Sequence, residues 1–360
     1  MNKTIILAAG GTGGHMFPAR ALAEVLRARG WRIVLITDRR GAALSDGFSA
    51  EERHVIPAAS LGGKNPIRLI AGIFSLLAGI VKSLWLILRI RPALVAGFGG
   101  YPSFPALAAA RLSFTPIVLH EQNCVLGRTN RVFAKRAKLI ASGFDVLEKL
   151  PPTAKARHVV TGNPLRASIL ERMDTQPAHT GERLHLLVLG GSLGAKILGE
   201  TVPAAVKLLP KSLQSRLDVV QQTREEQLDT LKKIYAEAGM QAELAPFFDD
   251  VADRLARADL VIARAGASSV AEIAAMGKAS ILIPLAIAMD DHQMRNAQSL
   301  AAHEAADVIA EEKLTPERLA ALMAARLGNT EDLQLRGAAA RSIARPEAAK
   351  TLADLIEDLG

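Results

Sequence analysis

The 360-residue sequence predicts an α/β fold built twice over. Short apolar strands alternate with helical patterns along the whole chain, which is the pattern of parallel sheets covered by helices on both faces. A glycine-rich turn follows an apolar strand at two places about 180 residues apart, Gly10-Gly11-Thr12-Gly13-Gly14-His15 and Gly190-Gly191-Ser192-Leu193-Gly194-Ala195. The length suits two domains better than one core. Strand, glycine turn and helix together cradle phosphate at the edge of an α/β sheet. The repeat therefore points to two similar domains facing across a cleft, and to an enzyme that handles a nucleotide-linked substrate.

Taken in order, the candidate strands of the first half are 4–9, 32–37, 93–97, 116–120, 138–142 and 157–161. Those of the second half are 184–189, 217–221, 243–247, 259–263 and 279–284. Their near-continuous Val, Ile, Leu and Ala content fits strands buried on both faces. Gly162-Asn163-Pro164 punctuates the chain between the halves, so the domains are read as 1–162 and 163–344. The polar stretch 174–182 reads as a connecting loop. The last helical segment, about 345–360, is free to pack on either domain, and packing back on the first is one candidate.

Composition is that of a soluble globular protein, 49% hydrophobic and 22% charged. Aromatic residues make up 4%, too few for stacking platforms that bind single-stranded nucleic acid. The single cysteine, Cys124, rules out an internal disulfide and suits a reducing cytoplasm. The first apolar run, Thr4 to Ala9, leads into glycines instead of a cleavage site, so no signal peptide is expected. The net charge of +8 is unevenly divided: residues 1–162 hold 22 Lys and Arg against 8 Asp and Glu, residues 163–360 hold 22 against 28. The first half, at +14, is expected to face an anionic surface, with nucleic acid and membrane as candidates.

Segment 67–90 narrows that choice. Its longest uncharged run, Leu69 to Val81, is too short to span a bilayer, and Lys64, Arg68, Lys82, Arg89 and Arg91 flank or interrupt it. A core helix between two strands accounts for part of it. Its apolar character is too broad for one buried stripe, and an apolar surface ringed by cations suits the plane of an anionic membrane.

Several candidate sites lie where strands end. In the first turn Met16 stands where a dinucleotide fingerprint needs glycine, yet Asp38 ends the second strand where a ribose-binding acid would sit. An NAD-dependent oxidoreductase therefore stays open. His15 leaves the turn where a helix begins; the positive helix end suits a neutral ring, the form a general base needs. Capping that helix is its plainer use. The second turn runs Ala195-Lys196-Ile197 and so is no Walker A loop, but its backbone N–H groups and the Ser192 hydroxyl suit a diphosphate. Lys196 reads as a solvated helix residue. Ala267 to Glu272 read as a helix start, with Glu272 placed to grip a ribose diol, although Ser269 and Glu272 also spell a capping box. Asp290-Asp291-His292-Gln293 fits sugar recognition at a helix start better than a metal site. His120-Glu121-Gln122-Asn123, Gly97 to Ser103, and Gly162 to Arg166 all follow strands, where ligands of open α/β sheets bind.

Seven motifs stand in order: GGTGGHMFPA, AGFGGYPSFP, HEQNCVLGRTN, TGNPLR, LGGSLGAK, RAGASSVAE and DDHQMRNA. Together they resemble the MurG-type glycosyltransferases of peptidoglycan synthesis, of glycosyltransferase family 28, over essentially the whole chain. The resemblance implies a GT-B fold of two Rossmann-like domains. It implies inverting transfer of N-acetylglucosamine from UDP-GlcNAc to the C4 hydroxyl of undecaprenyl-diphospho-MurNAc-pentapeptide (lipid I), giving lipid II, with no cofactor and no obligatory metal. It places the donor on the C-terminal domain. The basic N-terminal patch would then lie on the anionic cytoplasmic face of the inner membrane, as in a peripheral enzyme. Cell-wall synthesis and division proteins become candidate partners, and nucleic acid does not.

By the same resemblance His15 is the general base, with Glu121 and Tyr101 on the acceptor side. Thr12, Gly13, Gly14, Asn123 and Arg166 contact the substrates, and Ser192 holds the diphosphate. Phe248 reads uracil through its backbone, Ala267, Ser268, Ser269, Val270, Ala271 and Glu272 form the donor helix start, and Gln293 touches the sugar. Cys124 and Phe248 are bulkier than the residues expected there. The alternatives are another GT-B lipid glycosyltransferase with a different acceptor, or a non-catalytic nucleotide-sugar-binding protein of the membrane surface.

Overall fold

The computed structural model describes residues 3–58, 66–175, 183–191, 194–286 and 289–359. The chain forms two units, one of Met1–Arg166 with Arg345–Gly360, the other of Ala167–Ala344.

The first unit is a seven-stranded parallel sheet: β1 (Thr4–Ala8), β2 (Arg32–Thr37), β3 (Glu52–Val55), β4 (Leu94–Gly97), β5 (Ile117–Glu121), β6 (Leu139–Ser142) and β7 (His158–Val160). Its order is β3-β2-β1-β4-β5-β6-β7, so the winding reverses between β1 and β4. Its helices are α1 (Gly13–Ala28), α2 (Arg39–Ala43), α3 (Pro66–Ile90), α4 (Gly100–Leu112) and α5 (Arg128–Phe133), closed by Ala348–Glu357. Alternate strand residues point to opposite faces. Ile5, Leu7, Ile33 and Leu35 share one core with Leu22, Leu26 and the C-terminal helix; Ile6, Ala8, Val34 and Ile36 share the other with Leu86 and Leu107. Covering both faces is why these strands read as unbroken apolar runs.

The C-terminal helix belongs to this unit. Leu352, Ala353 and Ile356 are fully buried in its core, and Arg29 on the C-cap of α1 bonds Asp354 at 2.6 Å and Glu357 at 2.8 Å. The strand β3 had no apolar signal. It is an edge strand of sequence Glu-Arg-His-Val, half open to solvent, and among the described residues pairs only with β2. An edge strand needs cover on fewer sides, so its sequence carries no core pattern.

The helix α3 has two faces. Ser83, Leu86 and Ile87 are at most 2% exposed against the sheet and α4, and Gly79 is tight enough that a Cβ would meet the Pro57 carbonyl. Ile70, Phe74, Leu77, Val81, Trp85 and Leu88, spaced by three or four residues, are 52–68% exposed. Leu69–Ile90 has the length and hydropathy of a membrane-crossing helix, but its inner face is committed to the core.

The second unit repeats the plan with β8 (Leu184–Leu189), β9 (Leu217–Gln222), β10 (Ala242–Ala245), β11 (Leu260–Ala263), β12 (Ala279–Leu282) and β13 (Ala306–Val308). The order β10-β9-β8-β11-β12-β13 again reverses beside the first strand. The strand β13 is only three residues long, too short to stand out in sequence. Its helices are α6 (Ala167–Arg172), α7 (Lys196–Lys207), α8 (Lys211–Gln214), α9 (Leu228–Glu237), α10 (Val251–Arg257), α11 (Ala267–Ala275), α12 (His292–Ala301), α13 (Pro316–Leu327) and α14 (Thr330–Ser342). Leu186, Val188, Leu198, Val202, Ile262, Ile281 and Met323 form its core.

The two faces of α3 make opposite predictions. Leu86→Ala is expected to cost about 2–5 kcal/mol of unfolding free energy. Phe74→Ala on the outer face is expected to stay within about 0.5 kcal/mol of wild type. Urea unfolding of both variants distinguishes them, and equal losses would mean that the outer stripe is itself packed.

Candidate active site

At the end of β1 the chain enters the first glycine turn. Gly10 has no room for a side chain, since a Cβ would stand 2.7 Å from Asp38 Oδ1 and 2.8 Å from Pro102 Cβ. Asp38 holds this turn in place. Its Oδ1 accepts from the N–H of Gly11 and of Gly41, each at 2.9 Å, and its Oδ2 accepts from the Tyr101 hydroxyl at 3.0 Å. It is 5% exposed and is the N-cap of α2. Arg40 bonds the same Tyr101 hydroxyl.

Thr12 is the N-cap of α1, with extended backbone and no side-chain cap bond; Gly13 and Gly14 are the first two helical residues. His15 follows in the first turn of the helix, so it is not the cap. Its Nδ1 lies 3.0 Å from Gln122 Oε1. Gln122 Nε2 in turn lies 2.9 Å from His120 Nδ1 and 3.3 Å from the His120 carbonyl, and His120 Nε2 lies 3.1 Å from the Gly162 carbonyl. His120 is 1% exposed, against the Phe98 ring at 5.5 Å between centroids, and burial pushes its imidazole down to about 4. On the far side of His15 passes Gly100, at φ +70°, so close that a Cβ would stand 3.1 Å from Nε2 and from Cδ2. Arg166 joins this neighbourhood, its guanidinium 5.0 Å over the Phe17 ring of α1.

Glu121, at the end of β5, is 2% exposed and faces its own loop. Its Oε1 accepts from the backbone and side-chain N–H groups of Asn123, both at 3.2 Å. Its Oε2 accepts from Gly127 N at 2.8 Å and Asn130 Nδ2 at 2.9 Å. Cys124 lies buried in that loop.

In the second unit the glycine turn after β8 is clamped by Gln222. Its Oε1 accepts from Gly190 N at 3.1 Å, while its Nε2 donates to the carbonyls of Gly191 at 3.2 Å and Pro246 at 3.1 Å. Ser192 lies outside the described residues. The helix α11 has Gly266 as its N-cap, with no side-chain cap bond. Its first N–H groups are therefore open donors. Ser268 Oγ is buried beside them with no hydrogen-bond partner among the described residues. Ala267 and Val270 face the core, and Glu272 is 7% exposed.

The loop after β12 is held on three sides. Arg264 donates to the carbonyls of Ile283 at 3.1 Å and Pro284 at 3.3 Å and pairs with Glu311 at 2.7 Å. Glu311 also accepts from Ala286 N at 3.2 Å, and Gln293 Oε1 accepts from Leu285 N at 3.0 Å. Asn296, fully buried, donates to the Ala265 carbonyl at 3.1 Å, just ahead of α11. Phe248 is 5% exposed, with the Arg254 guanidinium 4.0 Å over its ring.

Residues 5–142 match the glycosyltransferase family 28 N-terminal domain and residues 185–358 the family 28 C-terminal domain. A Maricaulis maris protein named UDP-N-acetylglucosamine--N-acetylmuramyl-(pentapeptide) pyrophosphoryl-undecaprenol N-acetylglucosamine transferase is 51% identical over 359 residues, 99% of this chain and 98% of that protein. A Phenylobacterium zucineum protein of the same name is 48% identical over the same shares of both chains. The crystal structure of Acinetobacter baumannii MurG superposes with a TM-score of 0.79 at 32% identity, over 99% of each chain. The chain belongs to the MurG branch of glycosyltransferase family 28. Its two parallel sheets are those of a GT-B glycosyltransferase.

Within this family 28 chain, several sequence expectations need correction. Asp38 is no ribose acid: both of its oxygens are occupied by the turn, the cap of α2 and Tyr101, which removes the feature that kept an oxidoreductase open. Ser269 and Glu272 make no capping box, because the helix starts at Ala267 and Ser269 already lies inside it. Glu121 makes no described contact with His15. Its oxygens accept four hydrogen bonds, three from the following loop and one from Asn130 of α5, so its carboxylate anchors the chain between β5 and α5. Asp290 and Asp291 sit in left-handed backbone just ahead of α12. Lys196 is the solvated helix residue expected, paired with Glu200 at 3.5 Å.

Gln122, Gln222, Arg264 and Glu311 had no assigned role in the sequence reading. The signal for three of them was present: a polar residue placed directly at the end of a buried strand. Glu311 had no such signal, since it reaches Arg264 only through the fold.

Burial of His120 makes a prediction about pH. Its folded pKa of about 4 lies below its ordinary 6.5, so between these values only the unfolded chain binds the proton and stability falls as pH falls. From pH 7 to pH 5 wild type is expected to lose about 2 kcal/mol more than His120→Gln, which has no such group. Urea unfolding at the two pH values measures the difference, and parallel losses would mean His120 is accessible to protons in the folded state.

Proposed function

We propose that this chain transfers N-acetylglucosamine from UDP-GlcNAc to the C4 hydroxyl of lipid I, forming lipid II with inversion at the anomeric carbon. The observation that carries this is the relationship to proteins of that named activity over 99% of the chain, at up to 51% identity. In the reaction a bond forms from the acceptor O4 to the sugar C1 while the bond from C1 to the UDP oxygen breaks. The O4 proton goes to a base, and the bonding pair goes to the departing diphosphate.

The geometry supports a role for each group. His15 is the base, half-buried beside the glycine turn. Thr12, Gly13, Gly14, Asn123 and Arg166 are the substrate contacts of the same unit. Glu121 fixes the loop that carries Asn123. In the second unit the open N–H groups of α11, with Ser268 and Ser269, meet the diphosphate, and Ser192 adds its hydroxyl. Donors fixed in advance stabilise the charge that develops on the leaving group without reorganising. Ala267, Val270 and Ala271 set the pitch of that helix start. Glu272 grips the ribose diol, Gln293 touches the sugar, and the backbone at Phe248 reads uracil while its ring stays in the core. UDP-GlcNAc and lipid I are the partners this chemistry requires.

The same unit that carries His15 carries the outward apolar stripe of α3 and the excess of 14 positive charges within residues 1–162. We place that stripe on the anionic cytoplasmic face of the inner membrane, where the lipid acceptor is found. Apolar side chains enter the acyl boundary while cations meet the headgroups.

Two measurements test these assignments. Labelled GlcNAc should pass from UDP-GlcNAc, and not from UDP-GalNAc, to a soluble lipid I analogue, and Glu272→Ala should raise the donor KM far more than it lowers kcat. Absence of transfer despite donor binding would overturn the acceptor, and an unchanged KM would overturn the ribose contact. Binding to vesicles should require anionic lipid, weaken with salt and fall in a Phe74→Ser, Trp85→Ser double variant. Salt-independent binding, or equal binding by the double variant, would remove the membrane role of α3.

A further inference from the structure

We propose that Gln122 and His120 fix the proton of His15 on Nδ1, through a buried hydrogen-bond chain anchored at the Gly162 carbonyl, so that Nε2 always holds the lone pair. This rests on the reading of His15 as the general base and says which atom does the work.

The direction of the chain follows from its anchor. A carbonyl oxygen only accepts, so His120 Nε2, 3.1 Å from Gly162 O, carries a proton. Burial keeps that ring neutral at working pH, leaving Nδ1 as an acceptor. Gln122 Nε2 supplies its hydrogens to that Nδ1 at 2.9 Å and to the His120 carbonyl at 3.3 Å. Turned over, the amide would set its oxygen against two acceptors at once, so this network admits a single orientation. The Gln122 oxygen therefore points at His15 Nδ1, 3.0 Å away, and only Nδ1–H completes that contact. Each ring nitrogen's state is set by what the other bonds to, and here His15 Nε2 is left with the lone pair.

Two further features belong to the same device. Asn163 Nδ2 donates to the Gln122 carbonyl at 3.0 Å, so adjacent residues 162 and 163 hold both the end of the chain and the backbone of its middle member. Gly100 runs past His15 Nε2 with no Cβ to block it. The partner of His15 is an amide, which orients the ring without placing a negative charge beside it. In a Ser-His-Asp triad, by contrast, a buried carboxylate both orients the imidazole and stabilises its charged form. A free imidazole side chain favours the proton on Nε2, so without this chain the lone pair would sit mostly on the wrong nitrogen.

Gln122 and His120 are positioning residues, and their signature is the tautomer. In the full-length protein labelled with ¹⁵N-histidine, the His15 resonances are assigned by their loss in His15→Gln. Protonated Nδ1 and unprotonated Nε2 are expected at pH 7.5, and a wild-type ring protonated on Nε2 overturns the proposal. Gln122→Met keeps the volume and removes the amide. It is expected to shift His15 toward the Nε2–H form and to lower kcat roughly 10- to 100-fold with the UDP-GlcNAc KM within about twofold. Unchanged kcat overturns the proposal. His120→Gln offers an amide that donates to Gly162 and accepts from Gln122. It should recover most of the turnover lost in His120→Leu, and equal turnover in these two variants reduces His120 to packing and overturns its part. Failure of the base reading shows separately, as turnover that survives in His15→Ala, whatever tautomer the spectrum reports.

Discussion

A parallel strand buried on both faces can present polar chemistry only at its ends, and both units of this protein are organised by that constraint. The strands β1 and β8 are sealed along their length, and each opens into glycine where it stops. Each glycine turn leads into a helix whose first N–H groups have no partner within the helix. The winding of each sheet reverses beside that strand, so neighbouring connections leave in opposite directions and a crevice is left at the strand ends. The counterpart of α11, which follows β11, is α4, which follows β4 and whose Gly100 passes beside His15.

Around those strand ends, buried polar side chains are spent on shape. Asp38 ties the first glycine turn, the start of α2 and a tyrosine together, Glu121 gathers four donors from the following loop and α5, Gln222 brackets the second glycine turn, and Arg264 with Glu311 suspends the loop after β12. Removing water from such groups is expensive unless every lone pair and hydrogen finds a partner. Their near-complete pairing makes them rigid, and rigid loops keep substrate-binding groups in place between turnovers. A carboxylate in a strand-end motif can hold the chain in shape, as the four donors on Glu121 show.

The helix α3 meets a different demand, being apolar on two sides. Its inner side, with Gly79, Ser83, Leu86 and Ile87, is close-packed. Its outer side repeats at three and four residues, the spacing that puts side chains on one face. A soluble core explains only the first set. The second matches the excess of positive charge in the same half of the sequence, and both together suit a surface that is oily beneath and anionic above.

By itself the sequence determined the doubled α/β plan, since apolar runs separated by helical periods pair only as covered parallel strands. It also determined the positions of both glycine turns and of His15, which follow their strands directly and need no distant partner. It left β3 and β13 unseen, one because an edge strand needs no core pattern, the other because it is too short to show one. Only the tertiary structure decided that the last helix packs beside α1, through pairs such as Arg29 with Asp354 that are separated by most of the chain. Only it showed that Asp38 and Glu121 are anchors, that Ser269 lies past the cap of α11, and that Gly162 reaches His15 through two side chains. Local signals specify elements and turns. The direction of a hydrogen bond depends on which groups the fold brings within 3 Å, and no spacing in the sequence carries that information.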